Sequence, residues 1–280
     1  MEVLRINKTI RPGEKLSCYF LGDIHEGNIN HAEKELMEAI DIIRRDDTAI
    51  VVLMGDYIEA ITPDDVKRWN PIAVAEKYGL RDLKDLPYRQ IEEVYKKLEP
   101  ISDKVVSVIV GNHEESYMKR HYSDIYKRFV EMFPSNPMRM GGAGLIDLSV
   151  GDGKRDRGFK SFNIAVMHGI GGGGYLPGYP INRVHQTFRW SDADVNIQGH
   201  LHSLVMDEVR KISSFNGKKR SRNVLYGCSG CFLHTYVEGK ANYYEIKAGL
   251  RETDIGMLKI EITPAAKHTY NLVGTKIKLG

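Results

Sequence analysis

The 280-residue chain is 42% hydrophobic, enough to bury a sizeable core, and reads as one α/β domain over 1–280, with its motifs inside 22–202 and antiparallel strands over 203–280. A charged content of 28% and no apolar run approaching about 18 residues exclude a membrane-spanning helix, and residues 1–20 carry no secretory-type hydrophobic stretch, so no membrane contact and a cytoplasmic location are expected. The net charge of +3 is small for this length and neither requires nor forbids a polyanionic partner.

In chain order, an apolar run over Leu16–Leu21 leads into Gly22-Asp23. A helical pattern follows over 31–45, with Leu36, Ile40 and Ile43 on one face. Ala49–Met54 then leads into Gly55-Asp56, and 57–87 is a long excursion of the kind that is often functional. A second helix over 88–98 presents Ile91, Val94, Tyr95 and Leu98 and ends at Pro100, after which Val105–Val110 leads into Gly111-Asn112-His113. A third helix, from about Ser123, carries Ile125, Phe129, Val130 and Phe133 until Pro134 stops it. Phe162–Met167 leads into His168, and Val195–Gln198 into Gly199-His200. Short β-branched runs without polar alternation read as buried strands, and strands alternating with helices predict an α/β fold on a largely parallel sheet, with functional groups at its carboxyl ends. Beyond Gly199 the pattern becomes antiparallel strands over 203–212, 222–227, 242–247 and 255–263, with Asn216-Gly217 as a hairpin turn.

Cys18, Cys228 and Cys231 make no even disulfide framework, which fits a reducing compartment. Cys228 and Cys231 have C-x-x-C spacing without the second pair of a zinc ribbon, so buried or half-buried thiols near a turn are expected.

Seven residues of metal-ligand type stand at the strand ends: Asp23, His25, Asp56, Asn112, His168, His200 and His202. Imidazoles and carboxylates without a thiolate suit zinc, iron or manganese in a catalytic site. Seven donors suffice for two ions, and a carboxylate can bridge ions about 3.5–4 Å apart. Asp23 and His25, like His200 and His202, share a face if the backbone stays extended.

The ordered set Gly22-Asp-Ile-His25, Gly55-Asp56, Gly111-Asn-His-Glu114, His168-Gly169 and Gly199-His-Leu-His202 resembles the calcineurin-like metallophosphoesterase family. The resemblance implies an α/β fold, a sandwich of two β-sheets flanked by helices, and two divalent metal ions at strand ends, with manganese expected and iron, zinc or nickel tolerated. It implies that Asp23, His25 and His202 hold one ion, Asn112, His168 and His200 the other, and that Asp56 bridges them. His113 matches the family's catalytic histidine, which protonates the leaving oxygen or stabilises charge, and Glu114 is expected to orient its imidazole. A hydroxide shared by two cations then attacks phosphorus in line. One position departs: Glu59 stands where purple acid phosphatases carry a tyrosine ligand, which argues against a charge-transfer iron site.

Asn112, His185 and His234 are candidate substrate contacts, while His31, His121 and His268 are read as surface or satisfied polar residues. Gly171 to Gly174 lacks the phosphate-cradling P-loop pattern and is expected at the mouth of the site. The basic stretch 210–222, with Arg210, Lys211, Lys218, Lys219, Arg220 and Arg222, is either a backbone-tracking surface for nucleic acid or a solvated turn. Tyr175, Tyr179, Phe188 and Trp190 either stack bases or, for Phe188, fill the core of a short helix. These residues together read as a metal-dependent phosphodiesterase acting on nucleotide or nucleic-acid esters. The alternatives are a phosphomonoesterase, including a protein phosphatase, a scaffold that no longer catalyses, and a nucleic-acid-binding module. The sequence sets no oligomeric state.

Overall fold

A computed structural model of the chain describes residues 1–11, 14–151, 160–171, 176–240, 251–264 and 270–280. The expected strand over 242–247, Gly172 to Gly174, Tyr175 and His268 lie outside the described residues.

Two six-stranded sheets face each other. One is ordered β1 (Glu2–Thr9), β6 (Ala143–Gly151), β7 (Lys160–Met167), β8 (Val195–Gln198), β10 (Lys218–Ser229) and β9 (Leu204–Phe215). The other is ordered β12 (Tyr270–Lys278), β11 (Gly256–Pro264), β2 (Leu16–Leu21), β3 (Ala49–Leu53), β4 (Val105–Ile109) and β5 (Met138–Met140). Helices α1 (Glu33–Arg44), α2 (Leu86–Leu98) and α4 (Ile125–Glu131) cover the outer face of the second sheet, and α5 (Tyr179–Thr187) covers the first. The expected sandwich flanked by helices is therefore the fold.

The two-residue period of a strand explains why its sequence shows no polar alternation. In β2, Leu16, Cys18 and Phe20 enter the core between the sheets, whereas Tyr19 and Leu21 pack under the helices. Both faces are covered, so both must be apolar.

The sheets are mixed, which corrects the expectation of a largely parallel core. β2 to β5 run parallel, as do β7, β8 and β10, but β6 with β7, β9 with β10, and β11 with both β2 and β12 are antiparallel. Parallel pairing needs a crossover of about a dozen residues or more, and the connections between β6 and β7, β9 and β10, and β11 and β12 are too short for one. At the β9–β10 turn, Asn216 and Gly217 both have positive φ (50° and 70°), the geometry of a type I′ hairpin joining Phe215 to Lys218.

Candidate metal centre

The carboxyl ends of β2, β3 and β4 from one sheet and of β7 and β8 from the other deliver the seven donor-type side chains to one place. Asp23, His25 and His202 form one group and Asp56, His168 and His200 another, with the donor atoms of each within 4.8 Å of one another. Asp56 adjoins both, with Oδ2 3.1 Å from His168 Nε2 and 4.0 Å from His25 Nε2. Asn112 Oδ1 lies 3.0 Å from His168 Nε2, and His202 Nε2 lies 3.4 Å from Asp23 Oδ1.

The backbone does not stay extended, which corrects the premise of the shared-face argument. Asp23, His25, Asp56, His200 and His202 all have left-handed φ between 48° and 68°. Non-glycine residues in this region are strained and persist where their surroundings over-determine them. Here the amides of Ile24 and His25 both donate to the Asp56 carbonyl, Asp23 N–H donates to Gly55, and His200 N–H donates to the Asp23 carboxylate. Gly111 is required by close approach: a Cβ there would sit 2.1 Å from the Asp56 amide nitrogen.

Proton placement shows what the cluster lacks. His168 Nδ1–H donates to the Met54 carbonyl at 2.8 Å, so in the neutral ring Nε2 presents a lone pair toward Asp56 Oδ2 and Asn112 Oδ1. His25 Nδ1 faces Glu59 Oε2 at 3.1 Å, which leaves its Nε2 facing His202 Nε2, also at 3.1 Å. His200 Nδ1 is buried without a hydrogen-bond partner. Acceptors converging on acceptors repel unless a proton or a metal cation stands between them. The donor set therefore fits divalent metal.

The charge balance agrees. Burial pushes the Asp56 carboxyl up, but His168 and His113 outweigh it and hold the group well below its ordinary value. Burial pulls His168 down, and the Asp56 carboxylate overrides it, raising the imidazole to about 10. His113 is likewise lowered by burial and raised further by Asp56 and Glu59, ending above its ordinary value. Without metal, protonated imidazoles supply the positive charge that Asp56 requires.

Glu114 does not reach the His113 imidazole, contrary to expectation. Its carboxylate accepts the backbone N–H groups of Asp56, Tyr57, Ile58 and Gly111, and so holds the Asp56 turn against the start of helix α3 (Asn112–His121). Burial, followed by the Asp56 charge, raises this carboxyl to about 7. Glu59 orients the imidazole instead: His113 Nδ1–H donates to its carbonyl oxygen, while its carboxylate faces His25. Sequence reasoning noted Glu59 only as a missing tyrosine; its position three residues after Asp56 was the available signal.

The centre lines a cavity of about 1180 Å³. His185 and His234 do not line it: His185 bonds Asp207 at 2.9 Å and packs on Tyr226, and His234 lies 3.5 Å from Glu35. The hairpin over 210–222 also lies outside the lining, with Arg222 bound to Asp192 and Asp194 and Lys211 3.9 Å from Asp192. Phe188 is fully buried under α5, so it is a core residue. The three thiols are free and buried. Residues 61–74, inside the long excursion over 57–87, form part of the cavity wall, and so do 251–254, which no sequence signal marks.

No curated protein matches the chain. Among solved structures, a double mutant of Vps29 from Entamoeba histolytica aligns at 13% identity over 94% of this chain and 99% of that one, with a TM-score of 0.34. The calcineurin-like phosphoesterase YfkN from Bacillus subtilis aligns at 13% identity over 94% and 90%, with a TM-score of 0.36. The family model for calcineurin-like phosphoesterases matches residues 16–204, the span that holds every strand end described above, and the chain belongs to that family.

Proposed function

We propose that the chain is a metal-dependent phosphodiesterase that hydrolyses nucleotide or nucleic-acid phosphate esters. The observation that carries the reading is the convergence of metal-ligand-type atoms, His168 Nε2 on Asp56 Oδ2 and Asn112 Oδ1 and His25 Nε2 on His202 Nε2, at 3.0–3.1 Å. Asp23, His25 and His202 would hold one ion, Asn112, His168 and His200 the other, and Asp56 would touch both. When bound, such a pair lowers the pKa of water and neutralises phosphoryl charge.

The chain's own groups do the rest. Asp56 is fixed by Glu114 through the backbone and by His113 N–H, which donates to its Oδ1 at 2.9 Å. The Nδ1–H of His113 is committed to the Glu59 carbonyl, so Nε2 is the atom left to carry a proton to the leaving oxygen. The Asp56 and Glu59 carboxylates favour the protonated ring, as a general acid requires. This reading brings with it manganese as the working metal, a cytoplasmic location and a single domain.

The test is turnover of bis-p-nitrophenyl phosphate against p-nitrophenyl phosphate with manganese, followed by nucleotides and by single- and double-stranded DNA. Cleavage of the monoester alone overturns the diesterase assignment. Failure to turn over any ester in the metal-loaded protein overturns the reading as a whole.

A further inference from the structure

The donor cluster supplies a minority of the residues around its cavity; most of the wall belongs to surfaces that the hydrolysis above does not use. Chief among them is the segment 61–74, which contributes Lys67, Trp69, Ile72 and Val74.

This segment is anchored at both ends. At one end Asp65 receives Arg68 at 2.6 Å and Arg120 at 2.8 Å, and Arg120 lies on α3, the helix that begins with Asn112. At the other, Val74 bridges to Asn28, with Ile29 N–H donating to the Ala73 carbonyl and Ala75 N–H to that of Gly27. Lys77 and Tyr78 then reach the buried Glu26 carboxylate at 2.6 and 2.8 Å. Trp69 N–H donates to the Asp65 carbonyl at 2.7 Å. That N–H is the backbone amide, so the main chain that carries the indole into the cavity wall is anchored.

The chemistry of this wall is flat, apolar and singly cationic. Trp69 is half-buried, and Ile72, 67% exposed, extends the apolar surface. Arg68 is committed to Asp65, whereas Lys67 is exposed and has no ion pair among the described residues. A cavity of about 1180 Å³ is large for a bare phosphate and somewhat exceeds the usual range of small-ligand sites, about 300–1,000 Å³. The basic hairpin over 210–222, the stretch that could track a polymer backbone, does not line it.

Resting on the phosphodiesterase reading, we infer that Trp69 stacks on the base of a nucleotide-sized phosphodiester and Lys67 faces its negative charge, so that the enzyme selects free nucleotide esters over polymeric nucleic acid. Aromatic faces hold bases by stacking without regard to base identity, so recognition is nucleoside-general.

Two manganese-loaded assays and one binding assay test this. Thymidine 5′-p-nitrophenyl phosphate is compared with methyl p-nitrophenyl phosphate, which lacks the nucleoside. Trp69→Ala is expected to lower kcat/KM for the nucleoside ester, relative to the methyl ester, by roughly 5- to 100-fold through KM. Trp69→Phe is expected to restore most of it, and a thermal melt checks that both variants fold. Independently of turnover, in the Trp190→Phe protein the remaining indole is Trp69, and adenosine monophosphate is expected to quench its fluorescence saturably. If both esters are cleaved but Trp69→Ala slows them in parallel, or single-stranded DNA is cleaved in preference to the nucleoside ester, the inference is overturned while the hydrolase reading stands. If neither ester is cleaved, the phosphodiesterase reading falls, and quenching decides the stacking role alone: its absence overturns the inference and its presence supports it.

Discussion

His168 Nε2 lies 3.1 Å from Asp56 Oδ2 while its Nδ1–H is committed to the Met54 carbonyl, so the ring can serve Asp56 in two ways. As an imidazolium it donates a hydrogen bond to the carboxylate, and as a neutral imidazole it would share a cation with it. The two states exchange one proton for metal.

Metal binding is therefore expected to release protons. Burial lowers His168 and Asp56 raises it, to about 10 in the metal-free fold, so the ring is protonated at neutral pH and must deprotonate to ligate. Titration of manganese at pH 7.5 in buffers of different ionisation enthalpy is expected to report about one proton released per protein. An observed enthalpy independent of the buffer would contradict this.

The same shift sets a stability window for the metal-free protein. The folded value lies above the ordinary 6.5, so the contribution of His168 is fully present below pH 6.5 and lost as pH rises through about 10. Thermal melts of chelated protein are expected to give a lower Tm at pH 10 than at pH 7, by more than in the His168→Asn variant.

His113→Ala is expected to lower kcat by roughly 10²- to 10⁴-fold, the range for a lost general acid. Metal stoichiometry is expected to be retained, because His113 stands outside both donor triads named above. Loss of bound metal, seen by elemental analysis, would move His113 into the ligand set.

Glu114→Ala is expected to act through stability. It strips four buried N–H donors of their acceptor, and an unsatisfied buried donor costs about 1–3 kcal/mol. Urea denaturation should show a loss of at least about 2 kcal/mol, with Glu114→Gln intermediate. An Ala variant with wild-type stability and low activity would restore the imidazole-orienting role that the geometry denies it.

Lys97 pairs with Glu26 at 2.6 Å, and the two side chains are 10% and 0% exposed. Lys97→Met leaves part of a buried charge uncompensated and is expected to cost about 3 kcal/mol. Lys77→Met should cost less, since Lys77 is 38% exposed. Burial pushes the Glu26 carboxyl up, but His31, Lys77 and Lys97 outweigh it and hold it at about 2. Its contribution is thus present above pH 4.5 and lost as pH falls through about 2, so acid melts of Lys97→Met should converge on wild type.

Much of this architecture is legible in the sequence because strand ends carry marked chemistry. The apolar runs of β2, β3, β4, β7 and β8 are each followed by a donor residue, and the helices α1, α2 and α4 bury one stripe each, Leu36, Ile40 and Ile43 in the first. Other elements give weaker signals. Helix α3 buries only Glu114 and Tyr117, so no apolar stripe announces it, and its start is fixed by the Glu114 carboxylate capping Gly111. β6 does alternate, with Ile146, Leu148 and Val150 inward, but Asp147 and Ser149 break the apolar run that marked the other strands. The roles of Glu59 and of Trp69 depend on long-range placement. No local period tells that residue 59 meets His25, or that an excursion between β3 and α2 returns over the site.

The two candidate triads and Asn112 beside them draw on both layers of the sandwich: Asp23, His25, Asp56 and Asn112 extend from the sheet of β2, β3 and β4, whereas His168, His200 and His202 extend from that of β7 and β8. Each ion would then act as a rivet between the layers. Occupancy and the docking of one layer on the other become a single equilibrium, in which metal affinity adds directly to the work of pulling the layers apart.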